Sequence, residues 1–235
     1  MDKFLNYFDH RYRQNLVMGK SSDCGPIITI SRQTGCDAVA VSKQLVSRLN
    51  RKYGINKWHW VDKEILMVAA RKLETDTNRV ESYIKGNELS GLSEMIMAVS
   101  GKFVSDMKVK KVIKDVVLSI CKDGHAVLIG RAGVSISKPV RKSLHVRLVA
   151  PFYWRVENIM KKKNMGVEEA EEFVVDNDEK RYHMILNFLD KKPLNLDYLF
   201  DVTINRSSYS VEQIAQILAI LYEKRIETVM SNIGH

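Results

Sequence analysis

The 235-residue sequence holds only three cysteines, Cys24, Cys36 and Cys121, and none is spaced as CxxC, so it offers no disulfide framework. Its six histidines are scattered, and none stands at zinc-finger distance from a cysteine. No GxSxG element occurs, which removes the usual sign of a serine hydrolase. No run of about 18 apolar residues exists to span a bilayer. The opening MDKFLNYFDHRYRQN scatters charge through the place where a secretory signal keeps an apolar core. These absences lead to the expectation of a cytoplasmic chain in a reducing compartment, without a resident metal.

What is present is ordinary for a globular chain: 45% apolar and 28% charged residues. The formal charge of +9 leaves three explanations open. It can be a solvated basic surface, a face for a polyanion such as RNA, or a few cations gathered for a phosphorylated small molecule. The basic, aromatic start KFLNYFDHRYR is compatible with RNA, but no nucleic-acid motif accompanies it. A packing or homodimer arm is the simpler expectation there.

Apolar β-branched runs alternate with helical spacing. Strands are expected at 27–30, 58–61, 126–130, 144–150 and 201–205, with helical patterns at 37–53, 63–72, 110–121 and 152–189 and helical pieces through 75–108. Ser210 followed by Gln213 forms a capping box that opens a last helix. Such alternation implies βαβ units and an α/β fold with a parallel sheet covered on both faces, whose ligands bind beyond the carboxyl ends of the strands.

Those ends carry the candidate residues. After the first strand comes SRQTGCDAV, in which Ser31, Gly35, Cys36, Asp37, Ala38 and Val39 lie between a strand and a helix start. Unpaired amides there suit an anion, although a plain strand-to-helix turn has the same sequence pattern. The Walker A pattern GxxxxGK[ST] would add a lysine and a magnesium-binding hydroxyl, and here those positions are Ala38 and Val39. Asp37 can cap the helix, at about 1 kcal/mol, or repel a phosphate about 4 Å away by ~4 kcal/mol at an effective dielectric near 20. Magnesium or a nearby arginine can relieve that repulsion, and Arg32, just past the strand, is the nearest. Asp62 can orient a substrate hydroxyl, help hold a hydrated metal, or simply cap the next helix. Arg131, between small residues in LIGRAG, suits a bidentate grip on phosphate or a structural ion pair. Arg155 and Arg181 lie in the long polar region, as lid cations or as part of a solvated face.

Taken together, ITISRQTG, VDKEIL, AVLIGRAG, LHVRLVAPFYWRVENIMKKKNMGVEEAEE and DVTINRSSYSVEQIAQIL, in that order, resemble the cytidylate kinase-like family of P-loop nucleoside monophosphate kinase folds over about residues 26–222. The resemblance implies a three-layer α/β/α domain with a five-stranded parallel sheet, an N-terminal extension at 1–25 and a C-terminal tail at 223–235. It also implies a helical monophosphate-binding insertion at about 63–108 and a lid at about 152–190. It further implies ATP as donor, magnesium, and CMP or dCMP as acceptor. By position, residues 35–39 would be the phosphate turn, Asp62 an acceptor-site residue, Arg131 the partner of the acceptor phosphate, and Arg155 and Arg181 lid or acceptor-site cations. Relatives carry glycines where this sequence has Asp37 and Ala38. Phosphotransferase and non-catalytic nucleotide sensor therefore both stand as expectations, with RNA binding behind them.

Overall fold

The structure, a computed structural model, describes residues 24–62, 106–191 and 193–231. The helices expected between residues 63 and 105, most of the N-terminal extension and the last four residues lie outside that range.

In chain order the elements are β1 (Ile27–Arg32), α1 (Ala38–Tyr53), β2 (His59–Val61), α2 (Asp106–Asp123), β3 (Ala126–Ile129), α3 (Gly133–Ser137), β4 (Ser143–Val149), α4 (Phe152–Lys163), α5 (Val167–Leu186), a 3-10 turn (Asp197–Leu199), β5 (Val202–Asn205) and α6 (Val211–Ser231). The five strands form one parallel sheet in the order β2-β3-β1-β4-β5. Parallel strands covered on both faces need apolar side chains in both directions. β1 supplies them in alternation. Ile28 and Ile30 pack with Val41, Leu45 and Leu49 of α1 and with Ile214 and Leu218 of α6. Ile27 faces the other way, toward Ile113, Val117 and Ile120 of α2. The sheet is thus sandwiched between helices in a three-layer α/β/α arrangement. Because β1, the strand that feeds the turn at 33–37, lies at the centre, that turn and the ends of β3 and β4 are neighbours.

The helical region expected as one piece over 152–189 is two helices. Asn164 adopts a left-handed conformation (φ 56°), its N–H donates to the Met160 carbonyl to close α4, and Gly166 begins α5. The capping box is formed as expected: the Ser210 N–H donates to Gln213 Oε1 at 2.9 Å, and the Gln213 N–H to Ser210 Oγ at 3.2 Å. Among the described residues, no helix is long and apolar enough to cross a membrane, and no disulfide joins the cysteines.

One buried polar knot ties the sheet interior. Ser143 Oγ donates to the Val140 carbonyl, so it accepts from His145 Nε2 at 3.1 Å, and Thr29 Oγ1 then donates to His145 Nδ1 at 2.9 Å. The ring is held neutral. Burial, assisted by Arg225 and Lys138 and opposed by Asp201, pushes its pKa below the ordinary 6.5. The unfolded chain therefore binds the extra proton first, and stability falls as pH drops through about 6.5. A His145→Gln variant should show a flatter decline of Tm across that range than the natural chain; matching profiles would assign the acid sensitivity elsewhere.

Candidate functional site

The carboxyl ends of β1, β2 and β3 bring Arg32, Asp62 and Arg131 together, as parallel topology requires. Arg131 Nε lies 3.5 Å and Arg32 Nη2 3.9 Å from Asp62 Oδ1, and all three side chains are largely buried. Gly130 makes this possible. It sits at φ +64°, and a Cβ on it would run into the Arg32 guanidinium. The next two residues, Arg131 and Ala132, are also left-handed (φ 53° and 54°), a conformation that costs a non-glycine residue about 1–2 kcal/mol. Strain of this kind gathers at binding sites, and here it aims Arg131 across the strand ends.

From above the sheet, α4 and α5 supply the rest. Arg155 is 6% exposed. Its Nε donates to the Ala150 carbonyl at 3.0 Å, and its Nη1 donates to the Thr34 carbonyl at 3.3 Å and to Asp178 Oδ2 at 2.6 Å. Arg181 donates to Thr34 Oγ1 and lies 3.6 Å from Asp178 Oδ1. Four guanidiniums thus meet two carboxylates in a poorly solvated place. Burial, followed by repulsion from Arg181 and Arg131, pulls the Arg32 pKa down to about 10 against the attraction of Asp62. Arg181 is lowered too, first by burial, with Asp178 opposing. Both stay charged at neutral pH, and an added anion would relieve the repulsion between them. Arg32, Arg131 and Arg181 border a cavity of about 400 Å³, which Ser31, Asp178, Tyr182 and Phe200 also line. That size falls in the range of small-molecule sites.

The turn from β1 to α1 is arranged differently. Cys36 and Ala38 are buried in the core and Val39 packs against it, so any ligand contact from these three residues comes through their backbone. Burial pushes the Cys36 thiol up to about 11, which makes it an unreactive core side chain. Asp37 has a left-handed backbone (φ 44°) and makes no side-chain cap. Instead its exposed carboxylate pairs with Lys162 of α4 at 3.3 Å. Lys43, more than a turn down α1, lies over the Trp60 ring at 5.6 Å.

Thr34 and Asp178 escaped notice in the sequence. Asp178 sits inside the acidic run VEEAEEFVVDNDE, and the one available signal was its position three residues before Arg181 on one helix face.

The donor set suits phosphoryl oxygens: guanidiniums around a cavity, and a helix N-terminus with no side-chain cap. It does not suit a protein-held divalent ion. Asp62 and Asp178 each face arginines, and no group of three His, Cys, Asp or Glu side chains that could hold a metal occurs among the described residues.

A family model described as the cytidylate kinase-like family matches residues 27–208. A uronate isomerase of Corynebacterium glutamicum is 26% identical over 143 residues, which are 61% of this chain. The chain spans 27% of that protein's length. Among solved structures, an uncharacterized protein from Eubacterium ventriosum aligns with a TM-score of 0.57 at 15% identity, covering 85% of this chain and 98% of that one. A shikimate kinase from Bacteroides thetaiotaomicron aligns at 0.48 and 11% identity, covering 84% and 98%. The family match contains every strand of the sheet and every arginine of the cluster; this chain belongs to the cytidylate kinase-like family.

Proposed function

We propose that the protein is a phosphotransferase that moves the γ-phosphate of ATP to a nucleoside monophosphate of the CMP or dCMP kind. The observation that carries this reading is the convergence of Arg32, Arg131, Arg155 and Arg181 at the strand ends, where cations of fixed fork geometry can hold and neutralise phosphoryl oxygens. In this reading Arg32 and Arg131 grip the acceptor phosphate and Asp62 holds both guanidiniums in place. Arg155 and Arg181 counter the charge on the group in transfer. Backbone amides of Gly35, Cys36, Asp37, Ala38 and Val39, with Ser31 beside them, face the donor phosphates. Magnesium would ride on the nucleotide's own oxygens and supply charge neutralisation there.

The test is ADP formation from Mg-ATP across a panel of nucleoside monophosphates and related acceptors, run beside Arg131→Ala. The variant should lose about tenfold or more in acceptor affinity, since charged hydrogen bonds are worth about 1.5–3 kcal/mol. Arg131→Lys should restore little of it, because an ammonium cannot make the bidentate contact. Absence of turnover with every acceptor, or turnover indifferent to Arg131, defeats the proposal.

A second reading, a nucleotide sensor that keeps the fold without the reaction, is favoured by Ala38 and Val39 facing the core at the positions of the usual lysine and hydroxyl. Thermal stabilisation by ATP, ADP or CMP without turnover would select it.

A further inference from the structure

The carboxylate of Asp178 accepts from the β1–α1 turn what an oxyanion ligand would accept. Its Oδ1 receives the Thr34 backbone N–H at 2.6 Å and the Thr34 hydroxyl at 2.8 Å. Its Oδ2 receives Arg155 Nη1 at 2.6 Å, and Arg181 Nη1 lies 3.6 Å from Oδ1. One amide, one hydroxyl and two guanidiniums around a single anion form a donor set of the type that binds phosphate. Yet the anion is no part of the turn. It arrives on α5, which reaches Thr34 across 144 residues of sequence. The turn itself is braced independently, with the Gln33 N–H donating to the Leu148 carbonyl, the Ala150 N–H to Gln33 Oε1, and Asn158 Nδ2 to the Gly35 carbonyl.

We propose that Thr34 and Arg155, together with Arg181, which also lines the Arg32–Arg131 cavity, form an oxyanion site at the edge of that cavity, and that Asp178 is its internal occupant. A phosphoryl group enters this site only in exchange for the Asp178 carboxylate. Two anions cannot share the Thr34 amide, so occupancy by one excludes the other. The ligand class is a tetrahedral oxyanion, a phosphate ester or the terminal phosphate of a nucleotide. A dianion there would take over the charge partnership with Arg155 and Arg181 that Asp178 now provides. The inference rests on the proposed use of this turn for phosphoryl oxygens, but its Thr34 and Arg155 contacts are not part of the acceptor cavity, and its test is separate.

The experiment titrates inorganic phosphate into the full chain and into Asp178→Ala, reading stoichiometry by calorimetry and stability by thermal unfolding. Asp178→Ala vacates both charge and volume; Asp178→Asn removes the charge and keeps the volume. The expected result is one more phosphate per chain in Asp178→Ala than in the natural protein, with affinity at the new site at least tenfold above anything the natural chain shows there. The Tm of Asp178→Ala should also rise with phosphate more steeply than that of the natural chain, and Asp178→Asn should gain less than the alanine variant. Adding Arg131→Ala to Asp178→Ala should remove any phosphate bound in the cavity and leave the new one. If the cavity itself binds no phosphate, the count still rises from zero to one, so failure of the phosphotransferase reading does not mask the result. An unchanged stoichiometry and an unchanged phosphate response in folded Asp178→Ala overturn the proposal. Failure of both variants to fold overturns it as well, because a carboxylate that the fold cannot dispense with is not exchangeable.

Discussion

Arg155→Met is expected to destabilise the folded chain by about 3–5 kcal/mol, the range for breaking a buried ion pair by removing one partner. Methionine is the informative choice because it is long, unbranched and adaptable, and so leaves little cavity. What it removes is a guanidinium bonded at once to the Ala150 carbonyl, the Thr34 carbonyl and Asp178. The Asp178 carboxylate then keeps its Thr34 contacts but loses its closest cation in a place with little water. Adding Asp178→Asn should return part of the loss by neutralising that stranded charge, with a coupling of about 0.5–3 kcal/mol in a double-mutant cycle. The measurement is urea denaturation of the natural chain, both single variants and the double variant. Strict additivity would mean that the two side chains do not act as a pair.

Physical reasons separate what the sequence made legible from what it hid. β1, β3 and β4 were readable because IITI, AVLI and LHVRLVA are short runs rich in apolar β-branched residues, as a parallel strand buried on both faces requires. Once the strands were placed, Arg32, Asp62 and Arg131 followed, since parallel topology puts successive strand ends at one edge. The break between α4 and α5 was signalled by Asn164 and Gly166, but similar charge spacing on either side carries the helical pattern through it. α3, five residues long, is too short to show a period. The left-handed backbone at Arg131 and Ala132 has no residue signature at all, because neither is glycine or asparagine; tertiary packing imposes it. Asp178 was hidden for the same kind of reason. Within an acidic run on a polar helix, only the docking of α5 over the sheet distinguishes the carboxylate that meets Thr34 from its solvated neighbours.

Gly35→Ala should be comparably severe, and the reason can be isolated by a second glycine. Gly35 sits at φ +94°, outside the region that other residues adopt without strain, and a Cβ there would lie 2.7 Å from the Arg155 carbonyl oxygen and 2.9 Å from the Arg155 Cα. Both are backbone atoms, so no side-chain rotation removes the clash. α4 cannot easily retreat, because the Arg155 N–H donates to the Pro151 carbonyl and its guanidinium is anchored at three points. Conformational strain and overpacking each contribute about 1–3 kcal/mol, giving an expected loss of about 2–6 kcal/mol. Gly54, at the end of α1, is left-handed too (φ +61°), but a Cβ on it meets nothing within 4 Å. Gly54→Ala therefore carries the backbone term alone, about 1 kcal/mol. The two variants, compared by urea midpoint, should differ severalfold in their effect. Equal losses would show that α4 yields to the added methyl, and that the close approach of the turn to Arg155 does not fix where Thr34 presents its amide.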